Sequence, residues 1–367
     1  MFALNSVYLN SAYLGPTPLR AKEKVEAVLA RTLDPAGLPC EEWFEWTDNV
    51  RGQFATLLGC GMNHIALSTS VSELVSHVAN GLSLQPSEEV LLLDGDYPSM
   101  ILPWMVLSDL RLFQVRRLPL RTFLEPALLK SEITSRTRFV GCSHVMFNTG
   151  IQLPIADLGR ICRERQVLFL ADTSQSLGGM SLSSDILHNV DILVGVAYKW
   201  LLGPYGSAYG CFSKEAMSSL PRTHASWLVS PIAKDTENLL NYTTATLPGA
   251  RKFDRGQSAS FLITAALAGA LEIISEVGLR EIEQHNAGLV AHFLEHLPKG
   301  NTVAGPQDFR SNIVCVRPAT KDAKALKALL AQNSIDVSVR EGLVRFSFHF
   351  FNTREHVEKT LPLLTTT

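Results

Sequence analysis

The stretch Asp191-Ile192-Leu193-Val194-Gly195-Val196-Ala197-Tyr198-Lys199 ends on a lysine and leads directly into Trp200-Leu201-Leu202-Gly203-Pro204. The apolar run predicts a buried strand, and the Gly-Pro step after it predicts a turn. A lysine on the last rung of a buried strand is poorly placed for a solvated surface charge. A covalent role explains it best, because an amine of lowered pKa can hold an aldehyde cofactor as a Schiff base.

Six further short apolar runs predict strands, and helical patterns separate most of them. The runs cover residues 65–68, 90–94, 112–116, 139–143, 167–172 and 206–212. Strands that alternate with helices favour an α/β fold whose mainly parallel sheet is covered on both faces. The pattern changes near Pro248, after which two long helices and a few short strands predict a smaller α+β domain. We therefore predict a large domain at 16–250 and a small C-terminal domain at 251–367, with residues 1–15 near the active site.

Composition excludes several classes of protein. Of 367 residues, 46% are apolar and 19% charged, and the formal net charge is −2, as in an ordinary globular protein. Without a basic tract, nucleic acid and anionic membranes are poor partners. The N-terminus shows no secretory signal, and the longest apolar stretch, 261–274, is too short to span a bilayer. The six cysteines form no CxxC pair, which is typical of free thiols in a reducing cytoplasm.

Two other strand ends carry polar residues suited to the same cavity as Lys199. Asp172 ends the run 167–172, and ligands of a parallel sheet sit at the carboxyl ends of its strands. The alternative for Asp172 is a turn or helix cap. Ser70 and Glu73, at the start of the next predicted helix, fit a capping box, but a helix N-terminus also binds phosphate. Lysine, aspartate and helix terminus together outline a site for pyridoxal phosphate.

The chain resembles the class V aminotransferases, which include cysteine desulfurases, selenocysteine lyase and isopenicillin N epimerase-like proteins. Several blocks carry the resemblance in the family's order, and it runs nearly end to end. They are Tyr8-Leu9-Asn10-Ser11-Ala12, Asp96-Tyr97-Pro98-Ser99, His144 to Gly150, Asp172 with Gln175, Tyr198-Lys199-Trp200, Lys252 to Gly256, and Val344-Arg345-Phe346-Ser347. The resemblance implies a fold type I pyridoxal phosphate enzyme with a seven-stranded, mostly parallel sheet.

The resemblance also implies roles for individual residues at the cofactor. Lys199 is expected to form the Schiff base and Asp172 to pair with the pyridine nitrogen. The other expected cofactor contacts are Tyr97 stacked on the ring, Gln175 and Asn148 at the ring hydroxyl, and Val71, Ser72 and Tyr198 at the phosphate. Gln257 matches a residue that reaches the phosphate from a neighbouring subunit, which implies a homodimer.

On the substrate side, Arg345 matches the arginine that grips the α-carboxylate. Asn148, Asn10 and Ser11 are further expected substrate contacts. Lys199 and Tyr97 are the expected catalytic residues.

Two departures from the family pattern narrow the function. Val196 stands where many relatives have a phosphate-binding serine. The cysteine desulfurases carry a cysteine on an extra loop before the carboxylate-binding arginine, whereas here Ser338-Val339-Arg340-Glu341-Gly342 leads straight to that position. Cys315 is the cysteine nearest to this stretch in sequence, and its strand-like surroundings predict a residue of the hydrophobic core.

We therefore favour a C–S β-lyase that acts on a cysteine-derived amino acid, an S-conjugate or sulfoxide, and releases pyruvate and ammonia. The alternatives are an aminotransferase or an amino-acid epimerase on the same apparatus, or a non-catalytic binding protein. No metal is expected: His292 and His296, four apart on a predicted helix, form only half of a metal site, and no third ligand is indicated.

Overall fold

A computed structural model describes residues 1–39, 41–256 and 260–365 of the chain. The strands, in chain order, are β1 (Val7–Tyr8), β2 (Ile65–Ser68), β3 (Glu89–Leu93), β4 (Gln114–Leu118), β5 (Thr137–Ser143), β6 (Leu168–Asp172), β7 (Ile192–Val196), β8 (Ala208–Phe212), β9 (Thr302–Val303), β10 (Ile313–Arg317), β11 (Ile335–Asp336), β12 (Ser338–Arg340) and β13 (Leu343–Ser347).

The α-helices alternate with these strands in the first two thirds of the chain. They are α1 (Leu19–Thr32), α2 (Glu41–Leu58), α3 (Val71–Gly81), α4 (Pro98–Arg111), α5 (Leu120–Leu124), α6 (Pro126–Glu132), α7 (Ile155–Glu164), α8 (Ser184–Asn189), α9 (Lys214–Ser219), α10 (Phe261–Val277), α11 (Leu279–Glu295), α12 (Ala323–Gln332) and α13 (Arg354–Thr360). Short 3₁₀ helices cover Pro35–Gly37, Met62–His64, Trp227–Val229, Pro231–Lys234, Gly249–Phe253, Gln307–Phe309 and Leu361–Leu364.

A seven-stranded sheet in the order β2-β8-β7-β6-β5-β3-β4 forms the centre of the molecule. Strands β4, β3, β5, β6 and β7 run parallel to one another, and β8 runs antiparallel to both of its neighbours. The predicted mostly parallel seven-stranded sheet is thus confirmed. In its register Ser143 lies beside Asp172, so the carboxyl ends of β5 and β6 meet at one edge.

Helices cover the sheet on both faces because its strands are apolar on both sides. On one face the core includes Phe54 of α2, Leu158 of α7 and Leu271 of α10. On the other, α3 and α4 bury Leu74 and Trp104. The site edge is therefore backed by two packed layers.

The C-terminal part forms a second sheet, β12-β13-β10-β9, whose paired strands run antiparallel. Helices α11, α12 and α13 pack on it, with Phe293, Leu326 and Val357 in the shared core. The N-terminal segment joins this unit through β1, which pairs in parallel with β11.

Beyond β1 the N-terminal segment crosses to the large sheet. The Gly15 N–H donates a hydrogen bond to the Tyr198 carbonyl at 2.8 Å. A Cβ atom at Gly15 would lie 2.1 Å from the Lys199 carbonyl oxygen, so only glycine permits this approach. The segment is thereby held against the connection that follows β7. Lys199 lies in this connection, beyond Val196 at the strand's end, and not on the last rung of the strand as predicted.

The predicted strand at 112–116 is displaced by two residues and runs over Gln114–Leu118. Leu112 instead ends α4 in a left-handed conformation, with φ 62°. Helices commonly end at a residue in the left-handed conformation, which is usually glycine. Because this position is a leucine, the sequence did not indicate a helix end here.

The predicted domain boundary between residues 250 and 251 stays a prediction. Helix α10, which follows that point, packs on α1 and α2, and its Leu271 belongs to the large-sheet core. Within the described residues, no single helix is long and apolar enough to cross a membrane. Helices α10 and α11 pass that test only as a pair, which is bent by 75°.

Candidate active site

Two adjoining cavities open at the carboxyl edge of the large sheet. The inner cavity, of about 280 Å³, lies between the ends of β5, β6 and β7 and the start of α3. The outer cavity, of about 360 Å³, lies between the N-terminal segment and the β12–β13 hairpin. Tyr97, Gln175 and Lys199 line both. Open α/β sheets bind their ligands at this edge, so the two cavities together are the candidate active site.

Lys199 lies at the junction of the two cavities. Its side chain is buried, with 7% exposed, and its Nζ lies 5.3 Å from the centroid of the Tyr97 ring. Burial lowers the pKa of Lys199 to about 8; nearby Asp172 opposes this, and the charges of Arg345 and Arg340 add to it. A substantial fraction of the amine is therefore neutral near pH 8, as a nucleophilic lysine requires.

Asp172 ends β6 in the wall of the inner cavity. Its Oδ1 accepts a hydrogen bond from the Ser174 N–H at 2.8 Å. Burial raises the pKa of Asp172, while the Ser174 hydrogen bonds and the Lys199 charge lower it. A carboxylate so placed gains from a cationic group in the cavity, as the pairing predicted with a pyridine nitrogen requires.

Tyr97 precedes α4, and its ring makes an edge contact with Phe147 at 5.2 Å between centroids. Buried Asp96 holds this corner in place: its carboxylate accepts from the Tyr97 N–H at 2.7 Å and from the Ser143 N–H at 2.7 Å. Burial raises the pKa of Asp96 to about 7. The Tyr97 backbone is thus tied to the end of β5.

The start of α3 forms the far wall of the inner cavity. Ser70 caps the helix by accepting from the Glu73 N–H at 3.1 Å, and Glu73 in turn accepts from the Thr69 N–H at 2.9 Å. The cap uses only the third amide of the helix. In the described part of the chain, the N–H groups of Val71 and Ser72 have no acceptor. The sequence analysis treated the helix cap and a phosphate site as alternatives. The structure allows both, because the cap leaves two helix amides free to bind an anion.

The remaining predicted cofactor contacts occupy different positions. Gln175 lines both cavities, where it donates to the Ala12 carbonyl at 3.1 Å and accepts from the Trp200 ring N–H at 3.0 Å. Tyr198 also lines both cavities. Asn148 is half-buried beside Phe147, and its Oδ1 has no partner within the described residues. It does not line either cavity.

Arg345 belongs to the outer cavity, where it projects from β13. Only 1% of the residue is exposed, and its Nη1 donates to the Phe147 carbonyl at 2.7 Å. Its Nε and Nη2 have no hydrogen-bond partner among the described residues. Burial, and secondarily Arg340, lowers the pKa of Arg345 to about 10. Two free donors on a buried guanidinium fit the predicted grip on a carboxylate.

The structure does not bring Asn10 and Ser11 to the cavities. The Asn10 amide is engaged by Asp336 at 3.1 Å and Ser338 at 2.6 Å, and Ser11 is fully buried. Their neighbours Ala12, Tyr13 and Leu14 line the outer cavity instead. The N-terminal segment thus reaches the outer cavity as expected, through Tyr13 and its neighbours and not through Asn10 and Ser11. Gln257 lies outside the described residues.

The sequence analysis gave no site role to several residues that line the cavities. They are Thr69, Ser99, Ser143, Val145, Phe147, Ser174, Tyr205 and Gly206 in the inner cavity, and Arg340 in the outer one. Hydroxyls at strand ends and helix starts are common in turns and caps, so their type alone gave no signal. For Ser143 and Ser174 the only sequence signal of a place in the cavity was their position at or just after the end of a buried apolar run.

The β12–β13 hairpin covers the stretch where the resemblance implies a cysteine-bearing loop in the desulfurases. Arg340 pairs directly with Leu343, so only Glu341 and Gly342 form the turn, with φ of 46° and 74°. These positive angles are typical of a tight two-residue hairpin. Cys315 lies on β10 opposite Arg345 and is fully buried. Burial raises its pKa to about 12. The prediction that Cys315 is a core residue is confirmed.

Away from the cavities, His292 and His296 have a third possible metal ligand in Glu295. The ligand atoms of the three lie within 4.8 Å of one another, and Glu295 and His296 are exposed. The sequence analysis missed Glu295. The absence of a metal stays a prediction.

The residues of the inner cavity fit pyridoxal phosphate. An amine of lowered pKa, a buried carboxylate and two unpaired helix amides face one space. These are the groups that an aldehyde, a protonated pyridine nitrogen and a phosphate require. Lys199, Asp172 and the start of α3 would hold the cofactor.

Comparison with known proteins agrees with this site. The family model for aminotransferase class-V matches residues 40–360. Isopenicillin N epimerase of Streptomyces clavuligerus is 26% identical over 98% of this chain and 94% of its own. A probable cysteine desulfurase of Methanothermobacter thermautotrophicus is 22% identical over 96% of this chain and 92% of its own.

Among solved structures, a complex of the cystine C–S lyase C-DES with its product cysteine persulfide superposes with a TM-score of 0.89. It is 22% identical, and the match covers 98% of this chain and 97% of that one. The fold predicted from the resemblance, that of a fold type I pyridoxal phosphate enzyme, is confirmed.

Proposed function

This chain belongs to the class-V aminotransferase family of pyridoxal phosphate enzymes, and we propose that it is a C–S β-lyase acting on a cysteine-derived amino acid, an S-conjugate or its sulfoxide. The two-residue turn between β12 and β13 carries the proposal. No cysteine among the described residues lines either cavity, so none of these thiols is placed to accept sulfur. A lyase whose sulfur leaves attached to its substituent needs no such thiol.

The chain's own residues account for binding and proton transfer. Arg345 offers its free Nε and Nη2 to the α-carboxylate and so orients Cα toward Lys199, which shares the outer cavity. Lys199 removes the Cα proton, a step favoured by a pKa of about 8. Pyridoxal phosphate, when bound, supplies the sink for the electron pair left at Cα. Asp172 would pair with the pyridine nitrogen and keep it protonated.

The bond that breaks is Cβ–S, and its electron pair leaves on sulfur as a thiolate, or as a sulfenate from a sulfoxide. The three-carbon remainder takes up water and is released as pyruvate and ammonium. The sequence of steps is redox-neutral, so no oxidant or reductant is required.

The second candidate is amino-acid epimerisation or transamination. The relative of 26% identity named isopenicillin N epimerase, which covers 98% of this chain, favours it. Lys199 serves each reaction equally, since all begin with removal of the Cα proton.

We also propose that the protein is a homodimer. Tyr205 lines both cavities although 76% of it is exposed, so the rim of the site is open on that side. Exposed Leu240 and Tyr242 add further apolar surface. Sedimentation velocity of the holoenzyme tests this: a single monomeric species with full activity contradicts it.

The reaction is tested by incubating the holoenzyme with S-alkyl-L-cysteines and their sulfoxides. We expect pyruvate to accumulate over many turnovers while the cofactor keeps its aldehyde form. Stoichiometric conversion of the cofactor to its amine form indicates transamination and overturns the lyase. Loss of optical activity without pyruvate indicates epimerisation. Lys199→Ala serves as the inactive control.

A further inference from the structure

The outer cavity contains a second guanidinium for which the reaction has no use. Arg340 ends β12 and lines this cavity together with Arg345 and Lys199. It is half-buried, and its Nη1 donates to the Val339 carbonyl at 2.8 Å, which anchors one edge of the group. Arg340 is thus held at the cavity wall by the tight hairpin turn.

The cations of the outer cavity are not balanced within it. Among the described residues, no aspartate or glutamate lines this cavity, and neither Arg340 nor Arg345 forms an ion pair. The Arg340 charge, in addition to burial, lowers the pKa of both Lys199 and Arg345. Three cations that repel one another in a half-enclosed space create a strong site for anions.

The proposed reaction has a use for Lys199 and Arg345 but none for the positive charge of Arg340. In the proposed reaction Lys199 would be engaged by the cofactor and by the Cα proton, and Arg345 by the α-carboxylate. Arg340 then remains without an anion. From this excess, and as a refinement of the proposed function on which it rests, we propose that Arg340 binds a second anionic group, carried on the side chain of the substrate beyond sulfur.

The volume of the outer cavity is compatible with such a tail. At about 360 Å³ it falls within the usual range for small-molecule sites. A guanidinium prefers planar anions such as carboxylates, which it binds by two parallel hydrogen bonds. The substrate class is therefore an S-conjugate of cysteine that ends in a carboxylate or a comparable acid.

A matched pair of substrates tests the inference. S-(2-carboxyethyl)-L-cysteine and S-(2-carbamoylethyl)-L-cysteine have nearly the same shape and differ in the charge of the tail. We expect the holoenzyme to prefer the carboxylate by about tenfold to a hundredfold in kcat/KM, chiefly through KM, since the contact is charge-assisted. Equal use of the two overturns the proposal and favours an acidic residue from another subunit as the partner of Arg340.

Two variants assign the preference to Arg340. Arg340→Gln is expected to reduce the carboxylate-to-carboxamide ratio to near one, and Arg340→Lys to retain part of it. Arg340→Glu should shift the preference to the cationic S-(2-aminoethyl)-L-cysteine. Arg317→Gln, which removes an exposed arginine from β10 of the same sheet, is the control and should leave the ratio unchanged. An unchanged ratio in Arg340→Gln contradicts the assignment.

A binding measurement separates this inference from the lyase proposal. If no S-conjugate yields pyruvate, the lyase proposal fails, but L-glutamate and L-glutamine still differ only in the tail. Titration of the cofactor absorbance with each, read before any conversion to the amine form, then reports affinity. Tighter binding of glutamate in the natural protein, abolished in Arg340→Gln, supports the second anion site; equal affinities overturn it.

Discussion

The Nζ atom of Lys199 lies 5.3 Å from the centroid of the Tyr97 ring. Tyr97 lies between β3 and α4, Lys199 lies in the connection from β7 to β8, and both line the inner and the outer cavity. A flat aromatic ring thus faces the amine across the space in which a flat cofactor would lie. This relationship gives the ring and the amine separate, measurable roles.

The Tyr97 ring should contribute to retention of the cofactor through aromatic contact. Tyr97→Ala is expected to weaken pyridoxal phosphate binding by about twofold to tenfold, because such contacts contribute about 0.5–1.5 kcal/mol. Tyr97→Phe keeps the aromatic ring, so it should weaken cofactor binding only slightly. Cofactor release during dialysis, followed by absorbance, measures the effect. Equal loss in both variants would assign the effect to the hydroxyl instead.

Capture of the cofactor should depend on pH through Lys199. The pKa of Lys199 is lowered from 10.5 to about 8, so the nucleophilic neutral amine accumulates as pH rises through about 8. The rate at which apoprotein takes up pyridoxal phosphate should therefore rise through about pH 8 and level off above about pH 9. Borohydride reduction followed by peptide mapping identifies the amine that reacted.

Lys252 provides a matched control for this labelling. It is also partly buried, with a lowered pKa, but it donates to the Met217 and Leu220 carbonyls away from the cavities. Label on Lys252, or a capture rate that keeps rising toward pH 10.5, contradicts the assignment.

Cys315 should not carry sulfur during turnover. Its thiol is fully buried and its pKa is raised to about 12, so thiolate is scarce at neutral pH. After incubation with L-cysteine or an S-conjugate, we expect mass spectrometry to find no persulfide on the peptide that contains Cys315. Cys315→Ala should keep activity within about twofold, because the thiol takes no part in the reaction. A persulfide on this residue, or loss of activity with normal folding, would require a desulfurase-type step.

The buried pair Arg51–Asp254 should be a main source of stability beside the phosphate end of the site. Asp254 Oδ2 lies 2.6 Å from Arg51 Nη2, and its Oδ1 accepts from the Leu67 N–H at 2.8 Å. Asp254→Ala leaves a buried charge unpaired and should lower the free energy of unfolding by about 3–5 kcal/mol. Asp48, 3.6 Å from Arg51, favours the lower end of that range.

Urea denaturation of the apoprotein measures this change. Glu125→Ala, which breaks the exposed pair with Arg121 at 2.8 Å, is the control and should cost at most about 1 kcal/mol. Replacing both partners, as Arg51→Met with Asp254→Ala, should recover part of the loss. If the single and double variants are equally unstable, the unpaired charge is not the cause.

Much of the architecture was predictable because the relevant signals are local. Alternating apolar runs and turns predicted the strands of the large sheet, and polar residues at the ends of such runs marked Lys199 and Asp172. The missing desulfurase loop was also visible, since it is a matter of chain length between Val339 and Arg345.

The contacts of individual side chains were decided by tertiary packing. Asn10 stood in a family-like block, yet its amide is hydrogen-bonded to Asp336 of β11 and Ser338 of β12. Ser70 was expected to compete with phosphate, yet its cap takes only the Glu73 amide. Such outcomes depend on which acceptors fold nearby, and spacing along the chain does not contain that information.

The sequence by itself determined the sheet, the amine and the acid, because periodicity and strand-end position depend on neighbours in the chain. Only the tertiary structure decided that Arg345 is buried with two free donors and that Arg340 shares its cavity. Electrostatic balance depends on charges that only folding brings together, here those of Lys199 from the large sheet and of Arg340 and Arg345 from the C-terminal sheet.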